Sequence, residues 1–507
     1  MRLTAKSLFL LVLFGTIAAN AQGFPKIEHV IVIIQENRTP DNLFQGLCAP
    51  PWGSTSSCGT GSSQYNIQST YTDINGVPQP LQSVGLAANY DLDHSHGGPK
   101  LNGSVSGWDF ENSNPGAPVP GACGKTSAGA VLGCAPEDAQ FKYVFNTPVT
   151  NTDGSSGGLL DPYLNMATNY GWANFMYQTN QGPSYPAHQF LFSGTSADTA
   201  ADDPLGIFVA ENGTFTDVGC AALPTEKVQL IKPNPNPPPF GIEPSTAKVA
   251  PCFSHQSMKN LLEANNITWK YYAQQQTNPN GYNLAGGIWT APNSFTDICV
   301  PSNHQCSGAE WTTHVDLSPP DILTDLASPK CALQQVSWVT PDGAYSDHPN
   351  NDGWGPSWVA AIVNAVGQSG CTNPDGTSYW GSTAIFITWD DWGGWFDHVP
   401  PNIWPTAPLN DYTYGYRVPL LVVSTFTPKT INNYNHDFGS ILRAIEGIFL
   451  GTANEGALGF ADKRSGNDLH EFFTGSPRGF TVIPAPLGAS FFEGLHATKA
   501  PEPPDND

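Results

Sequence analysis

Short runs of consecutive apolar, β-branched residues constrain the fold of this chain more than any other feature. Three of them, at residues 29–34, 383–389 and 418–423, are typical of strands buried on both faces of a sheet. Apolar residues recur at three-four spacing over 356–366 and again over 438–449, which predicts amphipathic helices. Buried strands that alternate with such helices predict an α/β fold with a doubly wound, mostly parallel central sheet flanked by helices.

The segments outside these elements are predicted to be insertions into a single domain. Residues 48–160 are dense in Gly, Ser, Asn and Pro, and the proline-rich residues 232–239 predict an extended loop. We find neither an internal repeat nor a linker between independent domains. We therefore expect one domain over residues 22–490 with loop-rich insertions, followed by a disordered acidic tail over residues 491–507.

The N-terminus has the pattern of an export signal. Basic residues within 1–6 precede an apolar stretch over 8–19, and Ala19-Asn20-Ala21 supplies a small-residue cleavage site. We expect a signal peptide over residues 1–21 and a secreted or periplasmic protein, with an uncleaved N-terminal anchor as the alternative. Because no later apolar stretch reaches the length that crosses a bilayer, no stable membrane insertion is expected.

The charge balance narrows the range of partners. The chain carries 43 acidic and 20 basic residues, a formal net charge of −23. Nucleic acids and anionic membranes are bound through basic patches that meet phosphate groups. The acidic balance therefore excludes a general binder of nucleic acid or of an anionic membrane.

The cysteines predict disulfide bonds and no metal or redox chemistry. All ten follow the predicted cleavage site, and an even number in an exported chain is typical of disulfides. No two cysteines have the C-x-x-C spacing of a zinc or redox site. The connectivity of the whole set stays open, but the order along the chain suggests that local pairs staple the insertions: Cys48–Cys58, Cys123–Cys134 and Cys299–Cys306.

Two polar clusters directly follow predicted strands. Glu36 and Asn37 lie just beyond the first strand, and Asp390 and Asp391 follow the strand over 383–389. Ligands of open α/β sheets bind beyond the carboxyl ends of the strands, and oxygen-bearing side chains suit a divalent cation. The alternative for either cluster alone is an ordinary capping or turn role.

Histidines and one hydroxyl segment supply further candidates. His94 and His96 are two residues apart, while His348 and His398 each follow an aspartate. Imidazoles bind metals, bind phosphate as cations or transfer protons, although a histidine beside an aspartate also occurs as an ordinary loop contact. The turn at 193–195, Ser-Gly-Thr, would present a hydroxyl that needs a metal or a base for activation. Because it lacks the G-x-S-x-G pattern, it does not support an esterase-type triad.

Taken in order, these segments resemble the phosphoesterase family that contains bacterial phospholipases C, plant non-specific phospholipases C and secreted acid phosphatases. The resemblance runs from about residue 27 to about residue 450, and its most specific motif begins at Asp390. The matching segments are Glu36-Asn37-Arg38-Thr39-Pro40-Asp41, Asp91-Leu92-Asp93-His94-Ser95, Ser193-Gly194-Thr195, Ser346-Asp347-His348-Pro349, 390–401 and Gly415-Tyr416-Arg417-Val418-Pro419.

The resemblance implies an alkaline-phosphatase-like fold and a secreted, metal-dependent phosphoric ester hydrolase of the phosphatase or phospholipase C type. A divalent metal ion would be the cofactor, and a phosphate ester would be the substrate, phospholipid head groups among the candidates. Thr195 would be the nucleophile and form a phosphothreonine. The remaining implied roles are metal ligands (Glu36, Asn37, Asp390, Asp391), phosphoryl contacts (His94, His348) and further substrate contacts (His96, His398, His188).

Departures from the family pattern and rival functions leave alternatives open. Asp391 stands in place of the family's Glu, and His188-Gln189 stand where many members have Asn-Arg. One rival is a secreted glycosidase that uses Asp390 and Asp391, although adjacent carboxylates on one strand point to opposite faces. The other is a catalytically inactive cell-envelope binding protein on the same fold, against which the retained ligand residues and Thr195 argue.

Overall fold

A mixed sheet of eight strands forms the centre of the protein. In the computed structural model of the chain, the described residues are 23–88, 90–96, 121–125, 131–134, 138–211, 219–233, 242–277, 283–284, 286–349, 351–401 and 414–496. Numbered in chain order, the central strands are β1 (His29–Gln35), β2 (Gly171–Tyr177), β3 (Trp269–Tyr272), β4 (Val315–Asp316), β5 (Val336–Val339), β6 (Thr383–Trp389), β7 (Leu420–Ser424) and β8 (Thr430–Asp437).

The strand order confirms the predicted fold class and adds one reversal. Across the sheet the order is β4-β3-β5-β1-β6-β7-β2-β8. Every neighbouring pair is parallel except the two that involve β7, which runs antiparallel to both β6 and β2. The strand predicted from residue 418 begins at Leu420, after Pro419, which has no N–H to contribute to a ladder.

Helices cover both faces of this sheet, since every residue of β1 and of β6 is buried. One group of helices packs around α7 and the other around α9, as doubly wound folds require. The helices are α1 (Pro40–Leu43), α2 (Asp161–Asn169), α3 (Ser184–Ser193), α4 (Met258–Ala264), α5 (Ala309–His314), α6 (Asp321–Leu326), α7 (Gly355–Gln368), α8 (Tyr379–Ser382), α9 (Phe438–Leu450), α10 (Ala461–Arg464) and α11 (Ala489–His496).

The two helices predicted from periodicity are α7 and α9. The first turn of α7 contains Pro356, where a missing N–H costs nothing. Asp437 caps the start of α9, with its side chain accepting from the Ser440 amide in a capping box, and Gly451 follows the last residue. Both helices therefore begin and end close to the positions that their sequence signals indicate.

Small antiparallel and parallel pairs of strands decorate the central sheet in the loop-rich segments. Their bounds are Thr70–Thr72 with Pro78–Pro80, Gln82–Val84 with Lys142–Val144, Asp91–Leu92 with Gly121–Lys125 and Val131–Cys134, Pro148–Thr150 with Ser156–Gly158, Phe208–Glu211 with Val228–Pro233 and Ile242–Val249, Gln276–Thr277 with Asn283–Leu284, and Val300–Ser302 with Gln305–Ser307. The proline-rich stretch predicted over 232–239 lies mostly outside the described residues.

Disulfides staple the insertions as expected. Two of the predicted pairs, Cys48–Cys58 and Cys299–Cys306, are present, and two longer-range bonds join Cys220 to Cys252 and Cys331 to Cys371. The third predicted pair, Cys123–Cys134, involves side chains outside the described part of the chain. Residues 1–22, which include the predicted signal peptide, also lie outside it.

The C-terminal boundary of the folded chain differs from the prediction. Helix α11 continues past residue 490 to His496, where the acidic tail was expected to have begun. Phe492 is fully buried and packs edge-on against Trp358 of α7, so this segment belongs to the hydrophobic core. The rest of the expected tail, 497–507, lies outside the described residues. None of the described helices combines the length and the apolar character that crossing a bilayer requires.

Candidate active site

The parallel pairing of β1 with β6 brings the two predicted polar clusters together. The strands pair in register from His29 opposite Thr383 to Gln35 opposite Trp389, so the residues that follow them emerge side by side. The Asp390 amide continues the ladder by donating to the Gln35 carbonyl at 3.0 Å. Both clusters therefore lie at the carboxyl edge of the sheet, as the sequence predicted.

Backbone amides hold the carboxylates of this edge in place. Asp390 Oδ1 accepts from the amides of Asn37 at 3.2 Å and Asp391 at 2.7 Å. Asp391 Oδ1 accepts from the Gly393 amide at 2.6 Å. The side chains of Glu36 and Asp390 are fully buried, which makes negative charge there costly unless a cation or proton compensates it.

A close backbone approach explains the glycine pair that follows the aspartates. Asn37 has a left-handed backbone with φ of 55°, and Gly393 has φ of 62°. A Cβ atom at Gly393 would lie 2.6 Å from both the Cβ and the carbonyl oxygen of Asn37. Only glycine allows the two loops to meet at this distance.

A serine that the sequence analysis did not single out lies in the middle of the cluster. Ser184 is the first residue of α3, and its Oγ is 3.3 Å from Glu36 Oε2 and 3.2 Å from Asp391 Oδ2. Its single hydroxyl proton satisfies only one of these acceptors at a time. Ser184 stands at the N-terminus of α3, whose partial positive charge favours anions.

Gln178, the residue after β2, ties the start of α3 to the aspartate loop. Its Oε1 accepts from the Trp392 amide at 3.2 Å, and its Nε2 donates to the Gly182 carbonyl at 3.0 Å. Because one side chain bonds both segments, the distance between Ser184 and Asp391 is held by the framework of the sheet. The hydroxyl is thus positioned in advance of any ligand.

His188 lies one turn after Ser184 on the same face of α3 and also meets the carboxylates. Its Nε2 is 3.0 Å from Glu36 Oε1 and 3.7 Å from Asp390 Oδ2, and its side chain is fully buried. Burial lowers the pKa of His188 to about 4, while the charge of Asp390 opposes this shift. The imidazole is therefore neutral at neutral pH.

His94 orients the amide of Asn37. Its Nδ1 donates to the Leu92 carbonyl at 2.7 Å, so in the neutral ring Nε2 is an acceptor, and it faces the Asn37 amide nitrogen at 3.2 Å. The Asn37 amide group thus lies between His94 and the carboxylates, with its other terminal atom 3.0 Å from Asp390 Oδ1 and 3.1 Å from Glu36 Oε2.

The donor set fits a divalent cation. Glu36, His188 and Asp390 each place a ligand atom within 4.8 Å of the others. Among the described residues, the buried Asp390 Oδ2 has no hydrogen-bond donor. Packed acceptor oxygens repel one another unless a proton or a cation lies between them, and carboxylate, amide and imidazole ligands all bind divalent metals.

Two of the remaining predicted histidines, His96 and His348, are wholly or partly buried. His96 is buried two residues after His94. His348 is half-buried, with Nδ1 donating to the Pro349 carbonyl at 2.8 Å and its ring centroid 6.0 Å from that of Trp289.

Two predicted residues lie elsewhere. Thr195, expected as the nucleophile, follows the C-terminal end of α3, a helix of about 15 Å, and its Oγ1 accepts from the Ala197 amide at 3.1 Å. The ten-residue helix between Ser184 and Ser193 thus separates Thr195 from the cluster. His398 belongs to a different buried network, in which its Nδ1 donates to Asp41 Oδ2 at 2.7 Å.

The signal for Ser184 was present in the sequence. The residues Gly182-Pro183-Ser184 follow the apolar strand β2 and open a helix, which is where a parallel α/β sheet presents hydroxyls at its carboxyl edge. Periodicity alone did not separate the end of the preceding loop from the start of α3. The Ser-Gly-Thr segment at the other end of the helix resembles a family motif, and the nucleophile was therefore predicted at Thr195.

A comparison with protein families shows which family the chain belongs to. The sequence model described as Phosphoesterase family matches residues 157–450, more than half of the 507-residue chain, and the chain belongs to this family. The matched range contains Ser184, His188, Asp390 and Asp391.

Relatives are found among bacterial phospholipases C. A non-hemolytic phospholipase C of Burkholderia pseudomallei is 35% identical over 139 residues, 23% of this chain and 19% of the relative. Phospholipase C B of Mycobacterium tuberculosis is 25% identical over 448 residues, 83% of this chain and 73% of the relative. The chain thus matches about a fifth of the first relative and about three quarters of the second.

Solved structures with some backbone similarity were also found. A protein in the alkaline phosphatase superfamily from Vibrio parahaemolyticus has a TM-score of 0.32 and 9% identity, covering 61% of this chain and 64% of that chain. The lipoteichoic acid synthase LtaP from Listeria monocytogenes has a TM-score of 0.30 and 11% identity, covering 63% and 72%.

Proposed function

We propose that this protein is a metal-dependent phosphoric ester hydrolase in which Ser184, and not Thr195, is the nucleophile. The observation that carries the proposal is the position of Ser184 Oγ, 3.2–3.3 Å from two buried carboxylates at the start of a helix. A hydroxyl needs a base or a metal to become a nucleophile, and this one adjoins both kinds of group.

Each group at the site has a separate proposed role in the hydrolysis of a phosphate ester. Ser184 Oγ attacks phosphorus and passes its proton to Glu36 or Asp391, while the ester bond breaks and the leaving alkoxide takes up a proton from solvent. The backbone amides of Ser184 and Tyr185 would bind equatorial phosphoryl oxygens, where charge accumulates in the transition state. Water then cleaves the phosphoserine and frees Ser184 and inorganic or organic phosphate.

The cation would contribute Lewis acidity, lowering the pKa of the Ser184 hydroxyl and polarising the phosphoryl group when bound. We propose that the cation is held by the side chains that follow β1 and β6: Glu36, Asn37, Asp390 and Asp391. His94 supports this set through its contact with the Asn37 amide. Its role is therefore proposed as positioning a ligand, and His348 and His96 are proposed to meet the substrate.

The proposed substrate is a phosphate ester, with phospholipid head groups included because relatives bear the name phospholipase C. Secretion is proposed with it, on the export signal over 1–21 and on the four disulfides of the described residues.

The test uses the mature protein and a matched pair of variants. Ser184→Ala is expected to lower kcat on p-nitrophenyl phosphate or p-nitrophenyl phosphorylcholine by a factor of about a thousand or more. Thr195→Val keeps the shape of Thr195 and is expected to stay within about tenfold of the native protein. Mass spectrometry of acid-quenched enzyme should find phosphate on the peptide containing Ser184.

The same assay separates the rival functions. A dead Thr195→Val beside an active Ser184→Ala would overturn the choice of nucleophile, and activity unchanged by thorough chelation would overturn metal dependence. Hydrolysis of p-nitrophenyl glycosides alone would indicate the glycosidase. Cation binding without hydrolysis of any of these substrates would indicate the inactive binding protein.

A further inference from the structure

We propose that His188 is a nitrogen ligand of the cation site, so that the site selects borderline cations such as Zn²⁺ or Co²⁺ over Mg²⁺ and Ca²⁺. The inference rests on the proposed cation site and names the class of ion that it takes. It also replaces the substrate-contact role that the resemblance implied for this histidine.

The distances around His188 Nε2 match those of a metal-ligand set. Nε2 lies 3.0 Å from Glu36 Oε1 and 3.7 Å from Asp390 Oδ2. Ligand atoms that sit about 2.1 Å from a tetrahedral zinc ion are about 3.4 Å from one another. The two separations from Nε2 bracket that value, and the ligand atoms of all three side chains lie within 4.8 Å of one another, so one ion can lie between them.

A hydrogen bond alone leaves part of this group unsatisfied. If Nε2 carries a proton, the proton lies toward Glu36 Oε1, the nearer oxygen. Asp390 Oδ2 then remains a buried carboxylate oxygen with no donor among the described residues. A cation between Nε2 and both carboxylates satisfies all three atoms and offsets the buried negative charge.

The helix fixes the imidazole on the side of the carboxylates. His188 is fully buried, and α3 packs against α9 and is bonded to the sheet by Trp338 Nε1, which donates to the Leu191 carbonyl at 3.1 Å. Ser184 and His188 are four residues apart, so one helical face presents a hydroxyl and an imidazole to the same point. His188 thus faces the cation site from one turn further along α3 than Ser184.

A nitrogen ligand changes which ion the site prefers. Mg²⁺ and Ca²⁺ favour sets made wholly of oxygen, whereas imidazole suits Zn²⁺, Co²⁺ and related ions. Without His188 the remaining donors are carboxylate and amide oxygens. Removing the imidazole should therefore weaken binding of borderline ions far more than binding of hard ones.

The experiment measures ion binding to the full mature protein without substrate. Metal-free native protein, His188→Gln and His94→Gln are titrated with Zn²⁺, Mg²⁺ and Ca²⁺ by calorimetry. Zn²⁺ affinity is expected to fall at least 100-fold in His188→Gln, with Mg²⁺ affinity changed less than threefold. His94→Gln is expected to lower the affinities for all ions by a similar factor, because it acts through Asn37.

A spectroscopic measurement keeps the test independent of how well the variants fold. Native protein labelled with ¹⁵N-histidine and loaded with Mn²⁺ should show, by pulsed EPR, the coupling of one directly bound imidazole nitrogen. Absence of that coupling in the native protein, or its loss only in His94→Gln, would overturn the assignment of His188.

The outcomes also separate this inference from the proposed function. Ser184→Ala is expected to keep the nitrogen coupling while losing hydrolysis. An inactive native protein that binds Zn²⁺ through His188 would refute the hydrolase and leave the ligand assignment standing. An active enzyme with no nitrogen coupling would refute the ligand assignment of His188 and leave the hydrolase standing.

Discussion

Replacing Gly393 with alanine tests whether the close approach of two loops builds the cation site. Gly393 has φ of 62°, and an added Cβ would lie 2.6 Å from the Cβ and the carbonyl oxygen of Asn37. The Gly393 amide also donates to Asp391 Oδ1. The substitution therefore creates a steric clash with Asn37, one proposed ligand residue, and displaces the amide that donates to Asp391, another.

The expected magnitude follows from two separate costs. A residue with a Cβ in the left-handed region costs about 1–2 kcal/mol, and overpacking against a rigid neighbour costs about 1–3 kcal/mol more. Because backbone atoms of Asn37 are involved, relief requires that the loop itself moves. Displacing groups that orient metal ligands lowers cation affinity about 10–100-fold.

Gly376 offers a matched control. It has φ of 87°, and a Cβ added there meets nothing within 4 Å. Gly376→Ala should therefore incur only the backbone cost and leave cation affinity unchanged. Urea unfolding with disulfides intact and calorimetric cation titration are measured on both variants. Equal destabilisation of the two variants, with native cation affinity in Gly393→Ala, would refute the argument.

Two further predictions concern buried charges away from the proposed catalytic residues. Burial and the neighbouring Asp462 raise the pKa of Glu446 to about 8. The neutral carboxyl therefore gives the folded state its full stability below about pH 4.5, and this stability is lost as the pH rises through 8. The stability of Glu446→Gln relative to the native protein should rise from pH 5 to 8.5, by at most about 1.4 kcal/mol per unit, and thermal melting that shows no such trend would contradict this. Arg417 is buried beside Asp397 at 2.9 Å and Asp41 at 3.5 Å, so Arg417→Met should destabilise the protein by about 3–5 kcal/mol at pH 7 in urea unfolding. The loss should shrink in acid, because burial already raises the pKa of Asp397, and a loss that is constant with pH would count against the role of charge.

The parts of the fold that could be predicted are those set by burial. The runs that became β1 and β6 are apolar throughout because both of their faces are covered, and the side chains after them had to emerge at the sheet edge. For the same reason Glu36 and Asp390 could be placed in one site from their positions alone. The reversal of β7 could not be predicted, since a fully buried run looks the same in either direction.

The parts of the site that could not be predicted depend on contacts distant in sequence. His188 meets Glu36 from 152 positions away, and His398 is bonded to Asp41 across 357 positions. The Asp-His pairs that are visible in the sequence say nothing about these partners. The local Ser-Gly-Thr motif indicates Thr195 as the nucleophile. The position of the nucleophile depends instead on which end of α3 lies at the carboxyl edge of the sheet, and that end is the one with Ser184.

The reversed strand β7 has a consequence for how the substrate range of this fold can change. Because β7 runs antiparallel to β6, Leu420 pairs with Thr388, and segment 390–419 leaves and re-enters the sheet at the same edge. An antiparallel connection of this kind needs no crossover helix, and none of its described residues, 390–401 and 414–419, belongs to a strand of the central sheet. Residues can be inserted or deleted within it while the strand order stays the same. The stretch that begins at the proposed metal ligands can thus change in length while the eight strands keep their order, provided that Gly393 and the buried Asp397–Arg417 pair are kept.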